Sequence, residues 1–369
     1  MGNPSTTTTT TASTVAAAAT AAATAAAPAA SRSLYLAWTH FQRRQVSMAD
    51  LAGFECVFLP LAYKGRSHLL RGLHYLRLML RTVQVLRQHR PAVLWLQLPQ
   101  FPLLWAAMLY RLLFDPALQL VADCHNAAFQ APWSRLPLGL SLLRRCTCIL
   151  VHNDDMRARA QQLGLPMTRV QVLEDVPPLH RGGTRGVPVP PAFAGRPRPW
   201  VLFPGSYGQD EPIGELLAAA AMMPAGTLAV TGRRSNATRN GHDISQVPAN
   251  TVLTDYVPVA ELDALLAHAD VVLALTRNDG IQLSVCNEAL GFGKPMVMSG
   301  TPLLRALFGS AAVVVDSSDP ADILRGIGQA WQARDHWGDA AESLAHQRRS
   351  RWVAEPLQRC LRVLDARVP

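Results

Sequence analysis

The chain has 369 residues, 49% of them apolar and 17% charged, with a formal net charge of +9. That length corresponds to two domains, each large enough to bury its own core, and the composition excludes a wholly disordered chain. No apolar run reaches the ~18 residues of a membrane span, since the longest, Pro102 to Phe114, is shorter and carries Arg111.

Residues 1–32 are almost entirely Thr, Ala and Ser. Such a tract buries too little apolar surface to offset chain entropy, so it reads as a disordered tail. It lacks the basic start and Leu-rich stretch of a signal peptide. From Ser33 short apolar runs alternate with helical lengths: Leu34–Trp38, then a polar loop Thr39–Gln45 and a small helix, then Val93–Leu98, Leu118–Ala122, Cys148–Val151 and Val170–Leu173. This alternation predicts βαβ units and a parallel sheet over 33–176. Seven prolines between Val176 and Pro199 mark a linker. The alternation then restarts over 200–350 with strands at Trp200–Phe203, Thr227–Thr231, Thr251–Leu253, Val271–Leu275, Pro295–Met298 and Ala312–Val315, and an Arg-rich helix over 351–369 ends the chain. The fold class is therefore α/β, with two doubly wound, Rossmann-like domains.

The six cysteines (56, 124, 146, 148, 286, 360) contain no Cys-x-x-Cys pair, which argues against a zinc ribbon or a disulfide scaffold and suits the reducing cytoplasm. The charge is unevenly placed. Residues 1–150 carry 14 Lys+Arg against four acids, whereas residues 151–369 carry 21 against 22. The excess points to an anionic partner of the first half.

In a doubly wound sheet, ligands bind beyond the carboxyl ends of the strands. The loops to watch are Thr39–Arg44, Gln97–Gln100 and Asp123–Asn126 in the first half. In the second they are Pro204–Gln209, Gly232–Arg234, Asp255–Val257 and Arg277–Glu288. Gly205-Ser206 offers close backbone approach to an anion. Arg233, Arg234 and Arg277 are cations able to neutralise a diphosphate, or are simply solvated loop arginines. Arg43 and Arg44 occupy the first strand-to-helix loop.

Thr251–Leu275, the run Glu288-Ala-Leu-Gly-Phe-Gly-Lys-Pro295 and Ser299–Arg305 together resemble the C-terminal half of the retaining "group 1" glycosyltransferases of GT-B fold. The likeness runs from about Ser33 to Asp316. It implies two domains facing an interlobe cleft, with a nucleotide-diphosphate sugar on the second and an acceptor on the first. It implies that Glu288 binds the donor ribose and that His125, in Asp123-Cys-His-Asn126, contacts the donor sugar. Otherwise Glu288 is an acid favoured only by its helix dipole, and His125 a satisfied structural residue. Arg43 or Arg44 would meet phosphates or an anionic acceptor.

The chain departs from that family's pattern in three places. The family commonly carries a first acid eight residues before the second, where this chain has Gly280, with Asp279 one position earlier. The family's Arg and Lys after the first strand of the second domain are missing from Phe203–Gly214. No Asp-x-Asp occurs, so the expectation is a metal-independent enzyme with no cofactor beyond the donor substrate. The candidate catalytic residues are His125 and Asp279; the candidate nucleotide-binding residues are Glu288, Arg277, Arg233, Gly205, Ser206, Arg43 and Arg44.

Within 66–90, Leu69, Leu73, Leu76, Leu80 and Val83 recur at helical spacing and are expected to face the sheet. Arg71, Arg77 and Arg81 lie on another face, suited to an anionic membrane such as the inner leaflet of the plasma membrane, or merely solvated. With no aromatic platform beside them and no binding motif, nucleic acid is not the expected partner. The resulting reading is a transferase of saccharide or lipid-linked acceptors, in bacterial polysaccharide or glycoconjugate synthesis. Its rivals are a sugar-nucleotide 2-epimerase-like isomerase and a degenerate GT-B binding subunit.

Overall fold

The computed structural model describes residues 33–61, 67–179, 184 and 186–366. The Thr/Ala-rich tail and part of the Pro-rich linker lie outside them. The chain divides into two compact units. Of the described residues, one unit comprises Ser33–Gln42, those between Ala49 and Val172, and Cys360–Ala366; the other comprises Arg43–Met48 and those between Leu173 and Arg359.

The first unit is a six-stranded sheet of β1 (Ser33–Ala37), β2 (Glu55–Phe58), β3 (Val93–Leu98), β4 (Gln119–Cys124), β5 (Cys148–Val151) and β6 (Val170–Val172). Their order is β2-β1-β3-β4-β5-β6, and every pairing is parallel. The central strands are Val-, Ile- and Leu-rich and buried on both faces, as a parallel sheet under helices requires. Its helices are α1 (Arg43–Ala52, whose first six residues group with the other unit), α2 (His68–His89), α3 (Phe101–Leu113), α4 (Gly139–Leu143) and α5 (Asp154–Gln162). Strand side chains Leu34, Leu36, Leu94, Leu96 and Leu120 pack against Leu78 and Leu86 of α2 and Phe101 and Leu104 of α3.

The second unit repeats the plan with β7 (Trp200–Phe203), β8 (Thr227–Thr231), β9 (Thr251–Asp255), β10 (Val271–Ala274), β11 (Met296–Ser299) and β12 (Val313–Val315). Their order, β12-β11-β10-β7-β8-β9, is again parallel throughout. Around it lie α6 (Ile213–Ala221), α7 (Arg234–Asn240), α8 (Val259–His268), α9 (Ser284–Gly291), α10 (Pro302–Phe308), α11 (Pro320–Gln332) and α12 (Arg334–Trp352). Alternation along the strands splits the core into two layers. Leu202, Val272, Met296 and Met298 meet α9 and α12 on one face, while Val201, Phe203, Leu228 and Leu273 meet α6 and α11 on the other. After a π-turn at Val353–Leu357, α13 (Gln358–Asp365) packs in the first unit, where Gln119 Nε2 donates to Leu364 O at 3.0 Å.

One strand was not foreseen, and two expectations differ from the structure. The strand β2 was not legible: it is a four-residue edge strand that opens on the exposed Glu55. Arg43 and Arg44 do not lie in a loop but open α1. The largest correction concerns α2. Its sheet-facing line is Leu78, Thr82 and Leu86, with Val83 packed half-buried against the same core as expected, whereas Leu69, Leu73, Leu76 and Leu80 are exposed by 75%, 54%, 51% and 65%. Both lines have helical periodicity, so periodicity alone cannot say which one the sheet covers.

Candidate active site

In the second sheet the strand order reverses between β7 and β10, which makes the loops after these strands the topological switch point where an open α/β sheet binds its ligand. The loop after β7 turns sharply at Gly205. A Cβ there would meet the Phe203 ring at 2.6 Å, and Gly205 O lies 2.7 Å from where a Cβ on Gly232 would stand. Glycine at 232 lets the β8 loop pack onto the β7-loop backbone, and glycine at 205 leaves room for the Phe203 ring. The β7 loop is then fixed from α7: Asn236 Nδ2 donates to Ser206 O at 3.1 Å and Asn240 Nδ2 to Tyr207 O at 2.6 Å.

Ser206 presents its N–H as an anion seat, and the protein's own Glu211 fills it. The Glu211 carboxylate accepts from Ser206 N at 2.9 and 3.1 Å and from Ser206 Oγ at 2.8 Å. These oxygens stand where the oxygens of a phosphate would make the same bonds. The β7 and β10 loops are tied together, because Thr276 Oγ1 donates to Asp210 Oδ2 at 2.6 Å and Arg277 N to Asp210 O at 2.7 Å. Arg277 also donates to Glu211 O at 3.2 Å and forks onto Glu215 at 2.5 and 2.6 Å. Burial raises the Glu215 carboxyl, but its bonds with Arg277 outweigh this and hold it below the usual glutamate range.

The sequence-derived residues therefore separate into groups. Gly205, Ser206 and Arg277 come together through Glu211, which the sequence had not singled out. Arg233 lies over the Tyr256 ring at 4.5 Å, and Arg234 donates to Leu253 O at 2.6 Å. Asp279 is exposed on the turn that Gly280 completes at φ 75°. Glu288 is buried in α9, with its Oε1 at 3.5 Å from Arg43 Nε, and Arg43 pairs as well with Asp263 of α8. Burial pushes the Glu288 carboxyl up, and Arg43 pulls it partly back. Arg44, almost wholly buried, pairs with Asp175 and donates to Leu173 O at 2.9 Å. Arg43 thus faces carboxylates in this structure, and Arg44 holds the chain leaving β6.

In the first unit the order reverses between β1 and β3. Gln97 at the end of β3 donates to Gln42 Oε1, and its Nε2 lies 3.3 Å from His125 Nε2. His125 meets the His152 ring edge-on at 4.5 Å. Asp123, fully buried, accepts from the Tyr35 hydroxyl at 2.6 Å and faces His152 Nε2 at 3.4 Å. Asp123, His125 and His152 offer a carboxylate oxygen and two imidazole nitrogens within 4.8 Å of one another, a donor set that a divalent cation accepts. His152 was missed by sequence reasoning; its only signal is its place at the end of β5, just before the Asn153 cap of α5.

Two parallel, doubly wound units with their polar groups at the carboxyl ends define the GT-B class of two Rossmann-like domains. Solved structures agree in fold. Sucrose-phosphate synthase from Thermosynechococcus elongatus aligns over 91% of this chain and 98% of its own at 14% identity and TM-score 0.56. Anabaena HepE in complex with UDP-glucose aligns over 91% and 99% at 14% identity and TM-score 0.60. A UDP-forming trehalose-phosphate synthase from Burkholderia xenovorans aligns over 90% and 99% at 13% identity and TM-score 0.58. Residues 198–333 match the family described as "Glycosyl transferases group 1", so the second unit carries a group 1 glycosyltransferase domain. No curated protein matches the sequence.

Proposed function

We propose that the protein transfers a sugar from a nucleotide-diphosphate donor to a hydroxyl of a saccharide or lipid-linked acceptor, in bacterial polysaccharide or glycoconjugate synthesis. The observation that carries this reading is the group 1 domain whose switch-point loops bring Ser206 and Arg277 around an anion seat. The diphosphate would displace Glu211 from the Ser206 amide, with Arg277 and Arg233 as nearby cations. Glu288 would accept from the ribose hydroxyls, and His125 would hydrogen-bond the donor sugar. Catalysis would then consist of positioning and of stabilising the charge on the leaving diphosphate. This reading needs no metal, so chelation should leave the rate unchanged. HepE, a neighbour in fold, was solved with UDP-glucose, which makes that donor the first probe.

The test is incubation with labelled UDP-glucose and other nucleotide-sugars, with and without membrane lipid extract as acceptor. Acceptor-dependent transfer of label with release of nucleoside diphosphate supports the proposal. Conversion of the sugar without any acceptor would make the protein an epimerase, and binding without either reaction would make it a binding subunit.

A further inference from the structure

The four leucines that the sheet was expected to cover stand on the outside of α2. At 3.6 residues per turn, Leu69, Leu73, Leu76 and Leu80 fall within a sector of about 60°, centred about 150° round the helix from the buried line of Leu78, Thr82 and Leu86. Leu70, also more than half exposed, widens this stripe. Single exposed leucines are ordinary on protein surfaces, but a contiguous apolar stripe on one helix marks an interaction surface.

The charge around the stripe identifies the partner. Residues 67–90 contain five arginines and three histidines and no Asp or Glu. Arg77 and Arg81, both exposed, fall on the flank of the leucine sector, and Arg87 continues its line toward the C-terminal end. A helix interface between two copies of this chain would set these arginines against one another with no acid to answer them. A lipid surface carrying negative headgroups answers both features: the leucines enter the acyl boundary and the arginines meet the phosphates. The helix is the right kind of object for this. It is 22 residues long, capped at its start by Ser67, and anchored on its opposite side by Leu78 and Leu86, so it can lie in the interface plane without leaving the fold.

We infer that the α2 leucine stripe (Leu69, Leu73, Leu76, Leu80) inserts into an anionic lipid bilayer as an interfacial anchor, with Arg77, Arg81 and Arg87 contacting the headgroups. This is independent of which donor the second unit binds. It differs from a purely electrostatic attachment because it makes the leucines, and not only the arginines, essential.

The test is co-sedimentation of the full chain with vesicles of phosphatidylcholine alone and of phosphatidylcholine with 30% phosphatidylglycerol, a composition chosen as roughly that of a strongly anionic leaflet. The comparison is with a variant carrying Leu69→Ser, Leu73→Ser, Leu76→Ser and Leu80→Ser. These side chains are half exposed or more, so circular dichroism should show a folded protein, with the melting temperature lowered only modestly by serine's weaker helix propensity. The expected result is binding of the wild type to the anionic vesicles, with at least a tenfold loss in the leucine variant at about 0.15 M salt. Arg77→Gln with Arg81→Gln should weaken binding at low salt and remove most of its salt dependence. Equal binding of wild type and leucine variant would overturn the inference. So would a wild-type dimer that the leucine variant abolishes, with no vesicle binding by either, because the stripe would then belong to a second copy.

Discussion

Glu211 occupies the place where the account puts a diphosphate, and this makes Glu211→Gln the sharpest perturbation of the donor site. The glutamine keeps an acceptor for Ser206 N and Ser206 Oγ, which Glu211 now holds at 2.9 and 2.8 Å, but removes the negative charge. Two unit charges about 5 Å apart repel by about 3 kcal/mol at an effective dielectric of 20. Glu211 is only half-buried, so solvent and salt screen most of this and about 1 kcal/mol remains. Calorimetric titration should therefore show UDP binding five- to tenfold tighter in Glu211→Gln, with UDP-glucose following the same trend. Uridine, which has no phosphate, should bind the variant and the wild type alike. Weaker UDP binding in the variant, or the same gain for uridine, would refute the idea that Glu211 and the diphosphate compete for the Ser206 seat.

Other predictions rest on different contacts. Glu288→Gln keeps the shape of a buried side chain while Arg43 retains Asp263, so the melting temperature should hardly move. Donor affinity in a titration should nevertheless fall by a factor of about 10–100 if two ribose hydroxyls lose a charged acceptor. Burial raises the Glu288 pKa, so wild-type donor affinity should decline on acidification at a pH above the ordinary glutamate range, and Glu288→Gln should lack that decline. Asp175→Asn leaves the buried Arg44 guanidinium facing a neutral amide. Asp175 is partly exposed and Leu173 O stays in place, so a loss of about 2–3 kcal/mol is expected by urea unfolding, toward the low end for a broken buried pair. The carboxyls of Asp322, bonded to Arg325, and of Asp316, bonded to Ser318, are held below the usual range. Such groups favour the folded state above their unfolded pKa, and that contribution is lost as pH falls through their folded values. Arg325→Ala should accordingly lower the neutral plateau of the stability–pH curve slightly, since the pair is exposed and screened, and flatten the acid limb, so that the two curves converge at low pH.

The fold was largely legible because its strands are short Val-, Ile- and Leu-rich runs ending in polar loops, and a parallel sheet covered on both faces needs that pattern. Edge strand β2 escaped because it is only four residues long and opens on the exposed Glu55, which leaves an apolar run of three. The switch-point loops were placed correctly, yet their wiring was not visible. Glu211 reaches back five residues to Ser206, and Arg277 crosses sixty-six residues to Glu211, which no local pattern records. His152 was invisible for the same reason: it meets Asp123 and His125 only because β4 and β5 are neighbours in the sheet. On α2 the apolar period was read correctly and assigned to the wrong side. A helix with leucines on two faces has two self-consistent placements, and only the packing of Leu78 and Leu86 under the sheet decides between them.

Binding of a nucleotide-diphosphate sugar by the group 1 domain, through Glu288 and the β7 loop, would be read out by thermal unfolding of the full chain against a panel of such sugars, each at high excess. A ligand at about 100 times its Kd stabilises the folded state by about 2.7 kcal/mol. At least one donor should raise the melting temperature of the wild type by several degrees and leave that of Glu288→Gln almost unmoved. A panel that shifts neither protein, or shifts both equally, would rule out donor binding through Glu288.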